Sequence, residues 1–171
     1  NNQLRGIGRM ESLEIILKGY NGDVTQEEKE RYAATKNEYY RHYLKQMSPK
    51  DLSSDVRSTL DLIKSKGYKI AIGSASKNTK YILERLGLDR YFDAVSDGTN
   101  ITRSKPDPEV FLKASEFLSI APPVCLVVED AKSGIEAATA AGMDSAAIGD
   151  AVQYHIATYD LDRIGDLLKF L

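Results

Sequence analysis

A single cysteine, Cys125, excludes an internal disulfide and suits a reducing cytoplasm, where this protein is expected to work. It stands in an apolar run, where a thiol is ordinarily inert packing rather than a nucleophile. Neither sign of charge dominates: 23 Lys and Arg against 25 Asp and Glu leave a formal net charge of −2. That balance gives no electrostatic basis for binding nucleic acid or an anionic membrane, so the expected partners are small molecules. Long hydrophobic runs are missing too: none approaches the ~20 residues of a membrane span, and no secretory signal pattern is visible. The two histidines, His42 and His155, are far apart, have no neighbours at metal-ligand spacing and read as structural or surface residues. Repeats and low-complexity segments are likewise absent. What is present, 171 residues of which 42% are hydrophobic, can bury one sizeable core, or a core with a small satellite domain.

Residues 1–47 read as helical. Leu13, Ile16 and Leu17 recur at helical spacing over 9–18 and stop at Gly19. Thr25-Gln26-Glu27-Glu28 then fits a capping box opening a helix that runs to about Lys45, with Tyr32, Tyr39, Tyr43 and Met47 near one face. Tyr39, Tyr40 and Tyr43 are expected to pack rather than stack on bases, since no basic stripe accompanies them. Ser48-Pro49 ends the helix, because a residue before proline is pushed out of the α region, and this proline marks the expected domain boundary.

From there the elements alternate. Residues 55–66 form an amphipathic helix ending at Gly67, followed by a strand over 68–73, a helix over 78–86, a strand over 92–95 and a helix over 108–118. A valine-rich strand over 124–128 follows, then a small-residue helix over 134–141, a strand over 145–148, a last short strand near 155–157 and an amphipathic helix over 161–171. Strands separated by such helices imply right-handed βαβ units and a parallel sheet.

Three loops could carry chemistry. The 124–128 strand ends in Glu129 and Asp130, an acidic pair placed where open α/β sheets bind ligands and of the donor type that Mg²⁺ takes. Capping of the next helix would account for Asp130 but not for Glu129. Ser74-Ala75-Ser76-Lys77-Asn78 joins a strand to a helix, and its hydroxyls, ammonium and amide could cradle a phosphate. A plain N-cap at Ser76 or Asn78 explains only one of the five. Ser104-Lys105-Pro106-Asp107-Pro108 holds Lys105 on a loop stiffened by two prolines, suited to a phosphoryl oxygen. In the helical part, Gly6-Ile7-Gly8-Arg9 could let backbone approach a ligand while Arg9 grips phosphate. Arg9 and Lys36 are by default solvated side chains.

Taken in order, these loops resemble the haloacid-dehalogenase-like phosphotransferases, and the helical segment resembles that superfamily's small α-helical cap. Within it, Leu4-Arg5-Gly6-Ile7-Gly8-Arg9-Met10-Glu11-Ser12, Lys36-Asn37 and Ser74-Ala75-Ser76-Lys77-Asn78 look like the motifs of its sugar-phosphate mutases. The resemblance implies a Rossmann-like α/β core over 48–171 with a cap over 1–47. It implies Ser74 and Lys105 on the phosphoryl group being transferred, and Glu129 and Asp130 on Mg²⁺. It implies Arg9, Ser76, Lys77 and Asn78 around a second phosphate, with Lys36 and Gly6 facing the sugar and Ser12 among the substrate-binding residues. Gly8 departs from the small hydroxyl residue usual before the arginine. The implied reaction interconverts β-glucose 1-phosphate and glucose 6-phosphate through an aspartyl-phosphate and a sugar bisphosphate, in a protein expected to be monomeric when complete.

The superfamily's Asp-x-Asp motif, which supplies nucleophile and acid/base on the central strand, is not recognised here; Asp93-Ala94-Val95-Ser96-Asp97 lies on another strand with the wrong spacing. The missing strand would lie between those at 68–73 and 124–128. Some eight unmade ladder bonds at ~1 kcal/mol each rival the ~5–15 kcal/mol stability of a domain. The sequence is therefore expected to be part of a longer polypeptide and inactive alone. The rival readings are a phosphatase of the same superfamily and a non-catalytic sugar-phosphate-binding protein.

Overall fold

The structure, a computed structural model, describes residues 6–171, so Leu4 and Arg5 of the matched stretch lie outside the described residues. Helix α1 spans Arg9–Leu17 and α2 spans Gln26–Leu44. The expected capping box opens α2: the Thr25 hydroxyl accepts the Glu28 N–H at 3.2 Å, and the Glu28 carboxylate accepts the Thr25 N–H at 2.9 Å. The two helices pack on each other, burying Ser12 of α1 and Ala33 of α2.

The tyrosines of α2 correct the expectation of packing, for Tyr39 is 68% and Tyr43 66% exposed, and Tyr40 44%. The buried positions of α2 are Ala33 and Leu44, with Lys29 and Asn37 half-buried on the same stripe, which leaves positions 39 and 43 off it. Where α2 ends, Arg85 donates to the Lys45 carbonyl at 2.8 Å and to the Met47 carbonyl at 2.6 and 3.0 Å. A cation thus meets the C-cap carbonyl and the turn that follows it, at the negative end of the helix dipole.

The remainder alternates as expected: α3 (Ser54–Ser65), β1 (Ala71–Gly73), α4 (Thr79–Arg85), β2 (Ala94–Ser96), α5 (Glu109–Leu118), β3 (Leu126–Glu129), α6 (Lys132–Ala140), β4 (Asp144–Ile148) and β5 (Tyr159–Leu161). Among the described residues every strand pairing is parallel, with Ala71 opposite Ala94, Val127 opposite Ser145 and Ala146 opposite Tyr159. The ladders form two separate sheets, β1-β2 and β3-β4-β5, and among the described residues none joins β1 to β3.

Side-chain alternation along β3 explains its apolar run. Val127 joins Val110 and Phe111 of α5 with Ala137 and Ala138 of α6 on one face. Leu126 and Val128 turn to the other, where Ile63 of α3 packs with Leu161 and Leu167. Burial on both faces, with helices covering each, is the α/β architecture expected from the sequence.

Several boundaries differ from the sequence reading. Strand β1 is shorter than 68–73 because the Asp93 carboxylate, not a ladder partner, takes the Ile70 N–H at 2.8 Å. Val124 and Cys125 precede β3: Val124 ends a 3-10 turn and is 76% exposed, and Cys125 is half-buried with its thiol 3.4 Å from the Ala121 carbonyl. The last strand falls at Tyr159–Leu161 rather than 155–157, since a 3-10 turn over Gly149–Tyr154 ends at His155 in the left-handed region, φ 47°. The final amphipathic helix is a short 3-10 segment, Ile164–Lys169, because Leu161, its expected first residue, is spent in β5.

Candidate active site

Lys105 carries the loop after β2 into the interior. It does not project into solvent but is 5% exposed, with its ammonium 3.1 Å from the Gly73 carbonyl at the end of β1 and paired with the Glu129 carboxylate at the end of β3. The Phe111 ring lies beneath it, 4.6 Å from Nζ to centroid. One cation therefore bridges the carboxyl ends of two strands that no ladder joins. Ser74 follows Gly73 directly and Asp130 follows Glu129, so the three loops singled out in the sequence meet at one rim.

Glycine at 134 makes room for this pair. A Cβ there would stand 2.1 Å from Glu129 Cδ, so the carboxylate occupies the space a side chain would fill in the first turn of α6. Its Oε2 also accepts the Ala131 N–H at 3.4 Å. Asp130 is exposed, and Ala131 rather than Asp130 stands at the N-cap of α6.

For a metal, these two neighbours offer oxygen donors of the hard type, with Glu129 already engaged by an ammonium. Among the described residues no group of three or more His, Cys, Asp or Glu side chains could hold an ion. The donor set fits Mg²⁺ as part of a site, since that ion commonly takes one or two carboxylates and completes its octahedron with water and phosphate oxygens.

A cleft of about 720 Å³ opens beside this rim, between α1 and α2 on one side and the 74–78 and 98–104 loops on the other. Gly6, Arg9, Ser12, Lys36, Ser74, Ser76, Lys77 and Asn78 all line it; Lys105, Glu129 and Asp130 do not. Arg9 Nη2 donates to the Asn37 side-chain oxygen at 2.6 Å, and Asn78 Nδ2 donates to the same oxygen at 2.9 Å. Asn78 stands at the N-cap of α4 but makes no side-chain cap bond, so its amide serves this junction instead. The Ser74 hydroxyl accepts the Ser76 N–H at 3.2 Å and the Ser76 hydroxyl the Asn78 N–H at 3.1 Å, nesting the loop on itself. Helix α4 has only seven residues, so anion binding here rests on Arg9, Lys77 and the side-chain donors more than on a helix dipole.

The glycines of the first loop also stand close to the core. Gly6, at φ 74°, would place a Cβ 2.6 Å from Ser133 Oγ, and Gly8 would place one 2.7 Å from Ser104 Oγ. Both let the loop lie against the core.

Sequence reasoning passed over Asn37 as an organiser, Gly134 as a cradle, and Gly98, whose Cβ would stand 2.4 Å from the Ala75 carbonyl. A glycine two residues beyond a strand and a glycine in the first turn of a helix were the available signals. It also passed over one literal Asp-x-Asp string, Asp160-Leu161-Asp162. That string runs through β5, with β4 between it and β3, and Asp160 bonds His155 Nδ1 at 2.7 Å. It is not the motif the resemblance requires beside Lys105.

A parallel α/β core with a lysine and two carboxylates at its strand ends, faced by a pair of helices, defines a class. The chain belongs to the haloacid dehalogenase-like hydrolase family, whose sequence profile matches residues 11–148. It is 37% identical to a β-phosphoglucomutase of Bacillus subtilis over 151 residues, 87% of this chain and 67% of that protein. It is 31% identical to a phosphorylated carbohydrates phosphatase of Thermotoga maritima over 147 residues, 84% of this chain and 65% of that protein. The crystal structure of a β-phosphoglucomutase from Clostridium difficile superposes with a TM-score of 0.90 at 36% identity, covering 97% of this chain and 75% of that one. The chain spans about two thirds of the length of these two curated relatives.

Proposed function

We propose that this chain forms the cap, over 1–47, and most of the core, over 48–171, of a β-phosphoglucomutase-like phosphotransferase. In this reading a strand carrying the Asp-x-Asp nucleophile and acid/base sits between β1 and β3, beside Lys105. Ser74 and Lys105 hold the phosphoryl group in transfer, the ammonium offsetting charge on its oxygens. Asp130 holds Mg²⁺, with Glu129 direct or through water. The ion would supply further neutralisation of that charge. Arg9, Ser76, Lys77 and Asn78 hold the second phosphate of a sugar bisphosphate, Ser12 belongs to the same substrate site, and Lys36 and the Gly6 loop meet the sugar between.

The observation that carries this reading is the shared oxygen of Asn37. It draws Arg9 of α1 and Asn78 of the core to one point in the cleft, making a donor cluster separate from Lys105. Two anion-binding centres suit a substrate with two phosphates; a monoester phosphatase needs one. The Bacillus and Clostridium relatives support the mutase, and the Thermotoga relative supports a sugar-phosphate phosphatase as the second reading.

Titration calorimetry separates the two. Glucose 1,6-bisphosphate should bind at least about tenfold more tightly than glucose 6-phosphate, and Arg9→Ala should erase the difference, because a charge-assisted contact to the second phosphate is lost. Equal affinities, unaltered by Arg9→Ala, would remove the case for a mutase. In a polypeptide that includes the Asp-x-Asp strand, formation of glucose 6-phosphate from β-glucose 1-phosphate is the expected activity, and release of inorganic phosphate alone would favour the phosphatase.

A further inference from the structure

Helix α5 does more than cover the sheet. The Glu109 carboxylate in its first turn accepts the Thr102 N–H at 3.1 Å, the Thr102 hydroxyl at 2.9 Å and the Arg103 N–H at 2.8 Å. One turn further on, the Lys113 ammonium lies 3.2 Å from the same carboxylate and also donates to the Asn100 carbonyl. The Asp107 carboxylate accepts the Glu109 N–H at 2.9 Å, closing the turn from the other side. Main-chain groups at 100, 102 and 103 are thus bound to side chains of α5. Two residues beyond Arg103 the chain delivers Lys105 to the buried pocket between Gly73 and Glu129, over the ring of Phe111, itself on α5.

We infer that Glu109 is a positioning residue for Lys105: its carboxylate fixes the main chain at Thr102 and Arg103, and so aims the lysine between the ends of β1 and β3. The role of Lys105 in phosphoryl transfer rests on the function proposed above; the aiming does not. A lysine side chain has four rotors and a large entropy to lose on being held in one place. The shorter and stiffer the main chain that presents it, the less of that loss falls on the ammonium's own contacts. Glu109 is suited to the task because the donors ranged against it outweigh its partial burial and keep it ionised at ordinary pH. Cleft-lining Thr102 and Ser104 belong to the same loop, so the clamp also sets one wall of the cleft.

The test reads Lys105 directly. Pulse acetylation of folded protein, followed by peptide mass spectrometry, measures how often the buried ammonium becomes accessible. In Glu109→Ala, acetylation of Lys105 should rise by about tenfold or more, as local opening of a loop exposes what it buries. Glu109→Gln keeps one acceptor oxygen and should lie between, and it carries the test should the alanine variant fail to fold. Lys113→Met removes the second arm of the network and should leave Lys105 protected. Alkylation of half-buried Cys125, on the far side of α5 in sequence, monitors general loosening and should not change. Lys105 remaining protected in both Glu109 variants would overturn the inference, as would a rise matched by Cys125. A shift in Lys105 labelling together with failed bisphosphate discrimination would keep the clamp and remove the proposed function.

Discussion

Replacing Gly134 by alanine should destabilise this protein, although the same change in most helices stabilises. Glycine in a helix interior is disfavoured by up to about 1 kcal/mol relative to alanine, so the local term favours the variant. The new Cβ would stand 2.1 Å from Glu129 Cδ and 2.3 Å from its Oε2. A glutamate side chain can swing away at little steric cost. In doing so it leaves the Lys105 ammonium, whose side chain is 5% exposed against 9% for its partner. Breaking a buried pair by removing one member costs about 3–5 kcal/mol, because the remaining charge is neither solvated nor paired. The balance is a loss of about 2–4 kcal/mol. With a urea dependence near 2 kcal/mol per molar, the unfolding midpoint should fall by about 1–2 M. The cycle with Glu129→Ala isolates the cause. In that background no carboxylate remains to be displaced, and Gly134→Ala should become neutral or stabilising. A Gly134→Ala protein as stable as its parent, or more so, would refute the claim that Glu129 and Lys105 depend on the absence of that side chain.

Two further outcomes can be measured on the same material. Glu109 has its pKa held at about 2, below the usual 4.5; burial opposes this but is outweighed by hydrogen bonds from Arg103, Thr102 and Lys113. A depressed carboxyl stabilises the fold fully above its unfolded value and progressively less as pH falls through its folded one. The stability gap between the parent protein and Glu109→Gln should therefore be constant above about pH 5 and close between about pH 4.5 and 2; a gap that widens on acidification would contradict the clamp. Arg85→Met removes the three bonds from one guanidinium to the Lys45 and Met47 carbonyls. It should cost about 1.5–3 kcal/mol and quicken tryptic cleavage after Lys45, with an unchanged cleavage rate counting against Arg85 as the anchor of α2.

How legible the protein was in its sequence depended on how far apart the interacting groups lie along the chain. Thr25 and Glu28 are three residues apart, and their capping box, with the start of α2 that follows from it, was read correctly. Proline at 49, Gly67 and Gly87 likewise punctuate the elements where expected, since each acts on its own backbone. The final strand and helix were misplaced because the apolar residues near the end of the chain fit two registers, and only Leu161 docking beside Ala146 and Ile63 decides between them. The tyrosines of α2 looked like a packing face because periodicity reports a stripe but not whether anything covers it.

Element order, parallel pairing and the three loops that gather at the strand ends follow from hydropathy period, caps and the direction of βαβ connections, all of them local or nearly so. That Lys105 lies buried against Glu129 instead of reaching into solvent, that Asn37 draws Arg9 and Asn78 to one oxygen, and that Gly134 leaves a carboxylate its space were settled by tertiary structure. Their partners stand 24 to 41 residues apart for the first two, and no propensity of either member encodes the other. Only the packing of helices onto two sheets sets the distance at which a charge, an amide and a missing Cβ acquire their meaning.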